Sequence, residues 1–186
     1  MKKLVFAAMA AIAVSASAEM KVGVVDLMVL IRNHPNYDSN KELLSSTDKD
    51  YKKKLDDIKS DGEALQEEGK KLAEQLRSPM LADKAKADVE KRLMEIQQKL
   101  VGIEQQYRNE AVRCRQDLQD LEARLLKTTT DDLRKRMAKF AEEKGYDFVF
   151  DKTATPFSKA EYDVTDEMLS AMNVDPKSAK GRDEGK

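Results

Sequence analysis

Residues 51–72 read YKKKLDDIKSDGEALQEEGKKL, with apolar or small side chains at Tyr51, Leu55, Ile58, Gly62, Leu65, Gly69 and Leu72. The steps alternate between four and three, the heptad seam of a left-handed coiled coil. The seam extends back through Thr47 and Leu44 and forward to Leu76. A second seam follows at Val89, Leu93, Ile96, Leu100, Ile103 and Tyr107, continuing through Ala111 and Cys114 to Leu118. Between the two lies Arg77-Ser78-Pro79-Met80. Ser followed by Pro suits the cap and first position of a new helix. Residues 39–118 are therefore predicted to form a long antiparallel helical hairpin with its tip near 77–80.

The two seams suggest a register. In an antiparallel pair, the numbers of facing residues have a constant sum. Gly69 and Val89 add to 158, as do Gly62 and Ile96, and Ile58 and Leu100. With that sum, the double step of four at Leu55-Tyr51-Thr47 falls opposite the one at Ile103-Tyr107-Ala111, a stutter at one height on both helices. Gly62 and Gly69 occupy seam positions, where a glycine costs about 1 kcal/mol relative to alanine. Two reasons are open for them: close packing against a β-branched partner, or flexibility of the arm.

Working outward, the N-terminus has the pattern of a secretory signal. Lys2 and Lys3 precede an apolar run from Leu4 to Val14, and Ala16-Ser17-Ala18 supplies a small-residue cleavage site. The run has 11 residues, too few for a bilayer crossing of about 20. Cleavage after Ala18 is expected, giving a soluble exported chain. Charged residues make up 37% of the sequence and aromatics 5%, with no Trp, as suits long helices better than one large core. Subtracting the two signal lysines from 34 basic residues leaves 32 against 35 acidic, a net of −3. That balance speaks against a nucleic-acid partner.

Residues 21–26, KVGVVD, read as a short buried strand, and 27–33 as a short helix ended by His34-Pro35. Ser39-Asn40-Lys41-Glu42 matches a capping box opening the first long helix. The second long helix is expected to outlast its partner and run to Lys144, with Gly145 as its stop. Tyr146 to Asp151 reads as a strand, Thr155 to Lys159 as an edge strand, and Asp166 to Met172 as a helix capped by Thr165. From residue 173 the composition suggests a disordered tail. The predicted fold is mainly α with a small β part: residues 19–38 and 119–172 form a small α+β body, and the hairpin is an arm inserted in it. Two or three strands are a weak sheet alone, which argues for oligomerisation through the body.

The order of parts resembles the Skp/OmpH family of periplasmic chaperones, on the motifs KVGVVD at 21–26, YDFVFD at 146–151 and DVTD at 163–166. The resemblance covers the exported chain except its tail. It implies a homotrimer with a shared β-structured hub and three arms around a cavity, which holds unfolded outer-membrane β-barrel proteins without ATP. It further implies positive charge towards the arm tips and, for some relatives, a lipopolysaccharide-contacting basic group on the second helix. Here Lys99 and Arg108 are the nearest matches to that group, diluted by Asn109 and Glu110. The overall acidic balance departs from the many basic members. The tip partly restores the pattern with Lys70, Lys71 and Arg77 on one side and Lys84, Lys86, Lys91 and Arg92 on the other. A solvated helix surface and a patch steering clients or anionic lipid are both open for these residues.

No catalytic or metal constellation is visible. The single His34 sits beside a proline and reads as a turn or surface residue, and the single Cys114 as a small buried hydrophobe on the seam. No enzyme activity and no cofactor are expected. Met28, Met80 and Met94 are candidate adaptable contacts, or simply packing residues. The leading functional reading is a periplasmic holdase; the alternative is a coiled-coil spacer of the cell envelope with one fixed partner.

Overall fold

The computed structural model describes residues 20–181; the predicted signal and its cleavage site lie outside them. The elements run β1 (Val22–Val25), α1 (Leu27–Arg32), α2 (Tyr37–Leu76), α3 (Asp83–Lys144), β2 (Phe148–Asp151) and α4 (Thr165–Ala171), with short 3-10 turns at Lys152–Ala154, Ala160–Tyr162 and Pro176–Ser178. With 40 and 62 residues, α2 and α3 are about 60 and 93 Å long. They form the antiparallel hairpin, and the excess length of α3 runs down into the small α+β body. Among the described residues no helix is long and apolar enough to cross a membrane.

In the body, β1 and β2 pair in parallel, Val22 with Phe148 and Val24 with Phe150. The connection between them is the whole arm. Strand alternation sends Val25 and Val149 to the inner face, where Leu30, Leu133 and Leu169 are wholly buried. Gly23 is required here, since a Cβ on it would stand 2.9 Å from Val164 Cγ2. Gly145, at φ 69°, ends α3 in the left-handed conformation, and Tyr146 N–H returns to the Ala141 carbonyl at 2.9 Å.

The acids of the two flanking motifs interlock. Asp26 caps α1 by accepting from Val29 N–H at 3.0 Å. Its own N–H donates to Thr165 Oγ1 at 2.9 Å, and that hydroxyl donates to Asp163 Oδ1 at 2.6 Å. Asp163 also accepts from Thr165 N–H. So Thr165 is the first residue of α4 rather than its cap, and Asp163 supplies the capping oxygen. The expected strand at 155–159 is not formed; the segment lies beside the sheet without joining its ladder, because Thr155 and Tyr162 N–H bond locally to the Lys152 and Lys159 carbonyls in the two 3-10 turns, and the chain bridges to Val24 only at Asp163.

Both helix starts in the arm differ from expectation. Helix α2 begins at Tyr37, before the Ser39 box, because the turn at Pro35 has already set helical geometry: Tyr37 N–H bonds the His34 carbonyl, and Asn40 N–H the Asn36 carbonyl. Ser39 Oγ donates back to the Asn36 carbonyl instead of capping. At the tip, Ser78 and Pro79 do not start α3. They occupy a turn closed by Leu81 N–H to the Ser78 carbonyl, with Pro79 at the position its fixed φ favours. Helix α3 opens at Asp83, after Ala82.

The register is also different. The nearest side-chain atom to a Cβ built on Gly62 is Ile103 Cγ2 at 3.4 Å, and on Gly69 it is Ile96 Cγ2 at 3.6 Å. These pairs of numbers add to 165, one heptad away from 158. A seam of alternating threes and fours is unchanged by sliding seven residues, so the pattern alone could not choose between them.

Residues 173–181 are not a loose tail in the structure. Val174 and Ala179 pack on the body core. Lys180 N–H bonds Asn33 Oδ1 at 3.0 Å, and its ammonium reaches both Asp38 oxygens at 2.8 Å. The segment straps the junction between α1 and α2.

Candidate functional site

The seam of the arm is thin. Ile58 and Gly62 are the buried residues of α2, matched on the arm portion of α3 by Ile96 and Cys114. Burial pushes the Cys114 thiol up, the neighbouring Glu110 carboxylate adds to the effect, and the sulfur remains a neutral packing group. Glu110 ion-pairs with Lys54 across the hairpin.

Midway along the arm an open groove of about 510 Å³ is lined by Gly62, Leu100, Val101, Ile103 and Tyr107, with the polar side chains of Lys59, Glu63, Gln66 and Glu104. Neither seam glycine is needed for close approach, because a Cβ at either would sit in ordinary contact with an isoleucine. Gly102 on α3 adjoins Ile103 and therefore stands level with Gly62; a Cβ there would meet nothing within 4 Å. Two helix-weakening residues and a packing gap thus share one height.

The seven tip cations are spread over both helices. Lys70 and Lys71 face Glu67, Lys86 faces Asp83, and Arg92 Nε donates to Glu68 at 3.0 Å. Arg77, Lys84 and Lys91 form no ion pair among the described residues. Met80, 94% exposed, stands among them. Of the two residues matched to a lipopolysaccharide group, Arg108 is paired with Glu104 and Lys99 has no partner among the described residues. Met28 and Met94 are exposed as well.

At the arm root the structure corrects the reading of His34. It is buried, with Nε2 at 2.9 Å from Asp132 Oδ2, and its Nδ1 accepts from Asn36 N–H at 3.2 Å. The tautomer with hydrogen on Nε2 satisfies both contacts. Hydrogen bonds from Arg136 and then His34 hold the Asp132 carboxyl below its usual range. Sequence reasoning missed this pair because its members are 98 residues apart.

The outer face of the sheet is aromatic. Phe148 and Phe150 stack at 5.8 Å and remain 49% and 43% exposed. Phe157 and Met20 extend the patch beside an apolar groove that includes Val22 and Tyr162. The period-2 alternation of FVF at 148–150 was the available signal for this face.

A family model described as outer membrane protein (OmpH-like) matches residues 21–172. No curated protein matches the chain.

Proposed function

The chain belongs to the OmpH-like outer membrane protein family, and from that premise we propose that it is an ATP-independent periplasmic holdase for unfolded outer-membrane β-barrel proteins. Three copies join through the outer faces of their sheets, and their arms enclose a cavity in which a client is kept from aggregating. The observation that carries the reading is the asymmetry of the body. One side of a two-stranded sheet is filled by helices, while the other presents Phe148, Phe150 and Phe157 to solvent. Such a patch marks an interaction face, and a closed ring of copies would cover it and project one arm from each.

Weak contacts repeated over three arms give avidity without nucleotide hydrolysis. The level of Gly62 and Gly102 lets each arm bend to suit client size, with Gly69 softening the helix one heptad nearer the tip. Arg77, Lys84 and Lys91, with Met80, steer the tips to anionic lipid or lipopolysaccharide; Lys99 adds to that charge. Export to the periplasm follows cleavage after Ala18, and catalysis and cofactors have no part in the mechanism.

The test is light scattering on the purified protein. Its mass should be about three times that of one chain, and it should suppress aggregation of two unrelated barrel proteins diluted from urea. A stable monomer at micromolar concentration removes the cavity and the mechanism with it.

A further inference from the structure

The seam accounts for one apolar stripe on α3, and the helix carries a second. Met94, Val101, Val112 and Leu126 are 52% to 68% exposed, at successive steps of 7, 11 and 14 residues. At about 100° per residue, those steps stay within roughly 40° of one line along the helix. Ile96, Ile103 and Cys114, which face α2, lie roughly 180° away by the same count. The second stripe lies on the side of α3 away from the seam, and at its edge Val101 and Leu126 also reach the rims of the grooves between α3 and α2.

What fills the line between the aliphatic residues is also unusual for this chain. Gln98, Gln105, Gln116 and Gln119 fall on it, all exposed, along with Ala123. Its charges are two arginines: Arg108, which is paired with Glu104 beside the line, and Arg115 at its edge. No carboxylate lies on it from 94 to 126, although that segment holds six Asp and Glu residues in a chain that is 37% charged. The back of α2 is the contrast: Glu42, Lys49, Lys53, Glu67 and Lys71 make an ordinary solvated face.

We infer that the back of α3 is the surface along which an extended, uncharged segment of an unfolded polypeptide lies, and that the arms turn this stripe towards the cavity. The inference rests on the chaperone reading and says which residues touch the client. The complementarity is one of sparse charge: apart from the two arginines, neither partner has an ion to desolvate on contact. Carboxamides both donate and accept, so the glutamines can meet the unpaired N–H and C=O groups of an extended backbone. The aliphatic side chains between them receive the apolar face of an alternating strand. The stripe is about 48 Å long, whereas a membrane-spanning strand of about 10 residues extends roughly 33 Å. A whole strand fits on one arm.

The test places a photo-crosslinking residue at Val101 or, as a control on the back of α2, at Lys53. It is paired with a triple variant, Met94→Ser, Val101→Ser and Val112→Ser. The probe is an unfolded barrel protein diluted from urea. Crosslinking to the probe should be about tenfold stronger from 101 than from 53. The triple variant should bind the probe about tenfold more weakly with unchanged circular dichroism and mass. Equal yields from the two positions, or undiminished binding by the triple variant where the parent protein binds, overturn the stripe and leave the chaperone reading intact. Crosslinks from 101 between copies without any client also overturn it, making the stripe an arm–arm contact. A parent protein that protects no barrel protein defeats the chaperone reading, and the inference falls with it.

Discussion

Residues 83–126 and 127–144 belong to one unbroken helix, α3, yet they bury side chains very differently. The long upper part buries Ile96 and Cys114; the short lower part buries Thr129, Leu133 and Phe140. The upper part has α2 as its neighbour, whereas the lower part is ringed by α1, α4 and β2. A side chain between two helices keeps a flank in water, and one enclosed on several sides does not. Helix length therefore says little about where stability resides. The body holds the fold, and the arm sits near the low-stability end, where adaptable surfaces are found.

The most direct way to break this contrast is to cut matched leucines. Leu133→Ala, at a wholly buried site, should cost about 2–5 kcal/mol in urea denaturation. Leu100→Ala, on the half-buried wall of the arm groove, should cost about 1 kcal/mol. Equal losses would mean the arm is packed as deeply as the body.

A gain should be available in the arm. Gly62→Ala and Gly69→Ala each place a methyl group against isoleucine without a clash, so each should add about 0.5–1 kcal/mol. The thermal midpoint of the double variant should rise, and in the proposed trimer spin-label distances between arms should narrow. A higher midpoint with an unchanged distance distribution would remove bending as the glycines' role.

Acid should weaken the body. Burial alone would raise the Asp163 carboxyl, but hydrogen bonds from the Thr165 hydroxyl and amide, with the Lys152 charge, together hold it below its usual range. Asp132 is held down as well. A carboxyl lowered on folding stabilises the protein above its unfolded value of about 4, and that contribution is lost as pH falls through the folded value. Asp163→Asn should therefore flatten the drop in urea midpoint on acidification, modestly, because the site is partly open to water. An unaltered pH profile would take Asp163 out of the account.

The smallest effect belongs to the arm's surface pairs. Glu110→Gln breaks the ion pair with Lys54, and its slight destabilisation at low salt should vanish at high salt. A loss that persists in salt would point to the carboxylate's contact with Cys114 instead.

The hairpin was legible because a 3–4 seam of this length has few other readings, and the two strands because β-branched runs end at turn signals. The register was not, since a heptad pattern is blind to a seven-residue slide and the tip turn is longer than Ser78-Pro79 suggested. His34 carried no local mark of its partner Asp132. The strap at 173–181 is polar and Pro-bearing, and what orders it is a set of distant contacts, above all Lys180 with Asp38. The stripe on the back of α3 was written in the spacing throughout, but a search for one seam passes over a second.

The parallel pairing of β1 with β2 has a kinetic consequence. These strands are separated by residues 26–147, which hold α1, the whole arm and the lower part of α3, and closing a flexible loop of that length costs roughly 4 kcal/mol in chain entropy. The hairpin contains local contacts that zip from its own turn, and once zipped it brings residues near 37 and 129 side by side. The order of assembly follows: arm first, sheet second, C-terminal strap last. As the chain emerges from the N-terminus, β1 must wait unpaired until nearly all the rest has arrived. The aromatic sheet face then appears only on molecules whose arm is already built, and in the proposed trimer that order would keep copies from joining before their arms exist.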